Sequence, residues 1–188
     1  MIGMTSAHDV AAEVRGRRPR IDNFSLHKLL FYAQGFHLAW TGRPLFEQRI
    51  EAWGGGPVVA DLWRSERHGP TMPTVVPLTE AVQRVVDYVL SRYGQLSALE
   101  LIELSHVSGG PWDRVYEHPA ESKGRNEITF DLMQQWFSDD SELIALRAQA
   151  DASGERWRAL VATDSVPGLA SAVERVLGGE RVIEAPPR

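Results

Sequence analysis

The clearest pattern in the chain lies between residues 26 and 40. Leu26, Leu30, Ala33, His37 and Trp40 step by four, three, four and three, the spacing of one helical face. Leu29, Phe31, Tyr32, Phe36 and Ala39 widen that face well beyond the stripe of a surface helix. The pattern predicts a helix buried on most sides and central to the fold. Asp22, Asn23 or Ser25 is placed to cap its start, and Thr41-Gly42-Arg43-Pro44 to end it. A shorter helix is predicted over Ser6 to Arg15, with Val10, Ala11 and Val14 on one face and Gly16 and Pro19 stopping it.

Further along, Arg49 to Trp53 is short and half apolar and allows a small strand. Gly54-Gly55-Gly56-Pro57 follows, and Pro57 suits the first position of a helix carrying Val58, Val59, Leu62 and Trp63 inward, to stop near Gly69-Pro70. Thr79 is a credible N-cap for a stripe of Val82, Val85, Val86, Val89 and Leu90 ending at Gly94. Ser97 and Glu100 have the spacing of a capping box, opening a helix to about His106. A short helix is expected at Gly109-Gly110-Pro111-Trp112, then a polar loop over 117–127. Thr129 would cap a last helix through Phe130, Leu132, Met133, Trp136 and Phe137. Strict alternation is absent, so the predicted class is mainly α, a compact multi-helix domain around a buried helix with at most a minor β element. Residues 138–188 change in character: 141–150 and 167–177 have helical patterning and read as a C-terminal extension.

Of the 188 residues, 43% are apolar and 24% charged, an ordinary globular balance. A chain of this length buries roughly two-thirds of its unfolded surface, so its core needs no metal or disulfide. Cysteine is absent, which removes disulfides, thiolate catalysis and every cysteine-ligated metal site. No apolar run approaches the roughly 18 residues of a membrane span, and residues 1–14 lack the segments of a secretory signal. The expectation is a cytoplasmic protein with no membrane partner. A net charge of −5 provides no general attraction for nucleic acid. Arg15, Arg17, Arg18 and Arg20 form a local cluster, read here as a solvated link between two helices rather than a DNA footprint. Lys28 and Lys123 are the only lysines.

Candidate chemistry is sparse. Glu103 and His106 make one Glu-x-x-His pair on a helix face, but di-iron bundles use that pair twice and no second copy exists. His37 reads as a hydrogen-bonded core histidine. The triple glycine resembles an anion cradle at a helix start, yet it lacks the Lys-Ser/Thr of a P-loop, and Pro57 lacks an amide donor. A tight turn with close backbone approach is the simpler reading. No nucleophile elbow, kinase or dinucleotide motif is present. No cofactor or catalytic residue is therefore expected.

The same residues form a recognisable series. Leu26-His27-Lys28-Leu29-Leu30-Phe31-Tyr32-Ala33-Gln34 resembles the signature helix of the Panacea antitoxin domain family, which includes SocA-like proteins. Gly42, Pro44-Leu45-Phe46, Glu51-Ala52-Trp53, Gly56-Pro57-Val58-Val59 with Leu62, Tyr93-Gly94, Ser97, Leu101, Ser105-His106 and Pro111-Trp112 follow in order. The resemblance covers residues 6 to 137 and gives a domain over 1–137 with an extension over 138–188. His27 replaces the family's usual glutamine, Phe31 and Trp63 a common tyrosine, and Ser105 a common threonine. Gly54-Gly55 replaces a bulkier, often basic pair.

The resemblance implies a bacterial or phage antitoxin that binds and blocks a cognate protein toxin encoded by an adjacent gene. It also implies that Lys28, Leu29, Leu30, Tyr32, Gln34, Glu51, Trp53, Gly56, Pro57, Val58, His106, Pro111 and Trp112 build the scaffold. Aromatic and arginine side chains dominate interface hot spots, so Trp63, Arg64, Arg67, Trp112 and Arg114 are the candidate partner-binding residues, with loops 68–78 and 117–127 tuning partner choice. Core burial is the competing reading for both tryptophans. Three alternatives differ in class: a proteolytic adaptor that delivers the toxin to a protease through the C-terminal arm, an enzyme using Glu103 and His106 or the glycine turn, and a DNA binder using the arginine cluster.

Overall fold

The computed structural model describes residues 5–69, 78–116 and 126–138. Their order is α1 (Ala7–Arg17), α2 (Asn23–Thr41), β1 (Ile50–Trp53), β2 (Gly56–Val59), α3 (Ala60–Ser65), a 3-10 turn (Glu66–His68), α4 (Glu80–Tyr93), α5 (Ala98–Ser105), α6 (Pro111–Val115), β3 (Glu127–Ile128) and α7 (Phe130–Ser138). Among the described residues the fold is mainly α with one small antiparallel sheet in the order β2-β1-β3.

Every residue of α2 from Ser25 to Trp40 is buried. That follows from its apolar breadth: α7, α4, α5, β2 and α1 all pack against it. The Asp22 side chain accepts the Ser25 amide at its N-cap, and Gly42 ends it in the left-handed conformation at φ +68°. On α1 the Ser6 hydroxyl and the Asp9 carboxylate form a reciprocal capping box, and the helix runs two residues past Arg15 before Pro19. The arginine cluster is partly neutralised. Arg15 makes a two-pronged pair with Glu66 at 2.5 and 2.8 Å, and Arg17 pairs with Glu13 and Asp87.

The caps expected at Thr79, Ser97 and Thr129 all form. One expectation fails. Pro57 does not start a helix: residues 56–59 are strand β2, paired with β1 in the register Trp53↔Gly56, Ala52↔Pro57, Glu51↔Val58 and Ile50↔Val59. β2 is an edge strand, where a residue without an N–H costs no ladder bond on its open side, and α3 begins only at Ala60. Val58 and Val59, expected on a helix face, are instead buried with Gly56 and Pro57 in the strand, while Leu62 and Trp63 follow on α3. β3, at the end of the expected polar loop, pairs with the other edge of β1 through Ile50↔Ile128 and Glu51↔Glu127. The loop residues 70–77 and 117–125, and the helical segments expected at 141–150 and 167–177, lie outside the described residues.

Candidate functional site

Aromatic residues from α2, β1, α3, the end of α5 and α6 gather around the tip of the β1–β2 hairpin. The capping box at Ser97 fixes α5, so that His106 ends it and lies flat on Trp112 of α6, with ring centroids 3.6 Å apart and 14° between planes. Pro111 starts α6 at its first turn, and one turn of helix stacks Trp112 on Tyr116 at 4.3 Å. The Trp112 indole N–H donates to the Trp53 carbonyl at 2.8 Å, which ties α6 to the hairpin. Trp53 in turn donates its indole N–H to Glu51 at 2.9 Å and meets Trp63 edge-on at 5.8 Å. Trp63 continues to Phe24 at 6.0 Å and His27 at 5.4 Å.

The hairpin tip fits between these rings because it carries no side chains. A Cβ on Gly54 would meet the Tyr116 hydroxyl at 3.3 Å, and one on Gly55 would meet the Phe24 ring at 3.2 Å. Gly56 is held more tightly: its φ is +99°, and a Cβ there would come within 2.4 Å of Lys28 Cε and 2.8 Å of Ser105 Oγ. The triple glycine is thus a turn built for close approach, and because β2 follows it, no helix start exists there to hold an anion.

Beneath the rings lies Lys28, fully buried on α2, its Nζ without a hydrogen-bond partner among the described residues. Burial pushes this ammonium down to about 8, and Asp22 offsets part of that effect. His27 is pushed down to about 3 by burial and by the charges of Lys28 and Arg15. Its Nδ1 accepts the Val59 amide at 3.2 Å, which leaves Nε2 as a proton-bearing donor. His106 is pushed down to about 4, again by burial first and Lys28 second.

The structure brings together three of the five residues singled out for partner binding. Trp63 and Trp112 flank Trp53 and are both partly buried, while Arg64 reaches Glu51 at 3.1 Å and Asp61 at 3.2 Å. Arg67 is exposed on the 3-10 turn. Arg114 turns elsewhere, donating to the Gly109 carbonyl at 2.6 Å and lying 6.0 Å from the Trp136 ring centroid. Phe24 and Tyr116 were not singled out by sequence reasoning. Phe24 falls off the apolar face of α2, and a large ring beside Asp22 and Asn23 was the available signal. Glu103 is exposed while His106 is stacked on Trp112, and among the described residues no three acidic or histidine side chains converge as metal ligands.

Residues 26–113 match the family described as Antitoxin SocA-like, Panacea domain. That stretch is similar to a SocA-like Panacea domain. The matched stretch holds Lys28, the whole β1–β2 hairpin, Trp63 and Trp112; Phe24 and Tyr116 flank it on either side. The chain is also 33% identical over 121 residues to Antitoxin SocA of Caulobacter vibrioides (strain NA1000 / CB15N). That stretch covers 55% of this chain and 64% of the relative, so the chain spans less than two thirds of the relative's length. No solved structure matches the chain.

Proposed function

We propose that this chain is an antitoxin that neutralises a protein toxin by direct binding, through the aromatic face around the β1–β2 hairpin and without a catalytic step. The observation that carries this reading is the Panacea domain match over residues 26–113, joined to the similarity to Antitoxin SocA. The composition of the face agrees with it. Phe24 is 48% exposed, and Trp53, Trp63, Trp112 and Tyr116 are partly exposed around it. Large rings on a rigid scaffold are the usual anchors of protein interfaces, each worth about 2 kcal/mol or more when central. Glu51 and Arg64 lie at the edge of the tryptophans, where charges contribute orientation more than affinity.

The toxin is the product of a neighbouring gene, and the two proteins meet in the cytoplasm. No described helix is long and apolar enough to cross a membrane. A growth assay tests the reading: each adjacent open reading frame is induced with and without this chain. One neighbour is expected to arrest growth alone and to be harmless together with it. If no neighbour is toxic, the antitoxin reading fails.

A further inference from the structure

Three buried nitrogens under the aromatic face have no hydrogen-bond partner among the described residues: Lys28 Nζ, His27 Nε2 and His106 Nε2. The first two are donors, because an ammonium has no lone pair and His27 accepts the Val59 amide through its other nitrogen. An unpaired buried ammonium is costly, and folded proteins seldom keep one without a compensating anion. The acid that favours the charged form of Lys28 is Asp22, but its carboxylate is engaged with the Ser25 amide at 2.9 Å and the Ser25 hydroxyl at 2.6 Å. The site therefore has donors and lacks an acceptor.

What covers it is equally unusual. The ring of Phe24 stands 5.9 Å from Lys28 Nζ and is itself about half exposed, on the first turn of α2. On the other side Gly56 presents no side chain, so the hairpin backbone and Ser105 pack directly against the lysine stem. One half-exposed apolar ring, within cation–π range, thus covers a buried positive charge in the middle of the face proposed to bind the toxin.

We propose that Lys28 is the anchor of this face: on binding, Phe24 turns aside and an aspartate or glutamate side chain of the toxin pairs with Lys28 Nζ. This deepens the antitoxin reading and rests on it. Charge complementarity selects the occupant, since the socket supplies donors only. The surrounding rings would exclude water from the pair, which strengthens it. The cost of the unpaired ammonium is then carried by the free antitoxin and relieved in the complex.

Lys28→Met tests this, because methionine keeps the length and removes the charge. Without its toxin, the variant is expected to melt at a higher temperature than the wild type, since a buried unpaired charge is gone. Its affinity for the purified toxin is expected to fall at least tenfold. Substituting toxin acids one at a time (Asp→Asn, Glu→Gln) should reveal one position that weakens binding to the wild type and not further to Lys28→Met. A second measurement does not depend on the variant folding. With only two lysines in the chain, 15N-lysine labelling resolves the Lys28 side chain. Its Nζ signal should shift on adding wild-type toxin and stay unmoved with toxin lacking that acid.

Equal affinity of Lys28→Met and wild type would overturn the anchor while leaving the antitoxin reading intact. So would an affinity loss coupled to no toxin acid, or an Nζ signal indifferent to the toxin. A shift of the same size with millimolar acetate alone would replace the protein carboxylate by a small free anion. Failure of the wild type itself to bind any toxic neighbour would instead remove the reading on which the anchor rests.

Discussion

Gln34 Oε1 accepts the amides of Leu45 and Phe46 at 2.9 and 3.2 Å, and its Nε2 donates to the Phe46 carbonyl at 3.0 Å. One buried side chain on α2 thus satisfies three backbone groups of the segment that leads to β1. Gln34→Leu would leave all three unpaired and is expected to cost about 3 kcal/mol in denaturant unfolding. His27 performs a similar task for the Val59 amide, but as a titrating group. Its value is about 3 in the folded chain against an ordinary 6.5, so the unfolded state binds more protons between those limits. Stability must therefore fall as pH drops from 6.5 toward 3, by up to about 1.4 kcal/mol per unit from this residue. His27→Gln removes the titrating ring and keeps an acceptor for Val59. Unfolding curves at pH 7, 6 and 5 should show a shallower acid slope for the variant, with His37 and His106, both lowered by burial, supplying what remains. Residues such as these were visible in the sequence as polar members of an apolar helix. Their partners were not, because Phe46 and Val59 are brought to α2 only by the chain reversals that follow it.

At the scale of elements, α7 is fixed to α2 by a glycine. A Cβ at Gly35 would stand 2.3 Å from the Phe137 ring, whose atoms occupy the space a side chain would fill. Helix propensity alone would make Gly35→Ala stabilising by about 1 kcal/mol. The clash reverses the sign, and a net loss of about 2 kcal/mol is expected by thermal unfolding, with Phe137→Leu restoring part of it in the double variant. Helices were the legible elements: caps at Ser6, Asp22, Thr79, Ser97 and Thr129 are local, and each is spelled out within a few residues. The strands were not. Gly56-Pro57-Val58-Val59 has no alternation because β2 is buried throughout, and a short apolar run after a proline fits a helix start equally well. β3 is two residues long and owes its pairing to Ile50 and Glu51, about 77 positions earlier in the chain.

For the whole molecule, the parts of the face come from α2, the hairpin, α3 and α6, and no local window of sequence contains them together. The tryptophans were visible one by one, and the resemblance to the Panacea family set them in order. That Trp53 joins Trp63 to Trp112 required the fold. Trp63→Ala should weaken toxin binding by about 2 kcal/mol, roughly 30-fold, when measured by titration calorimetry. Arg114→Ala should change it little, because that side chain is directed to Gly109 and Trp136. The central claim is neutralisation by occupancy, and the state of the toxin in rescued cells tests it most directly. Quantitative immunoblotting across size-exclusion fractions should find the toxin undiminished and co-eluting with this chain. A toxin that disappears in a protease-dependent way, or that persists free while the cells grow, would contradict the account.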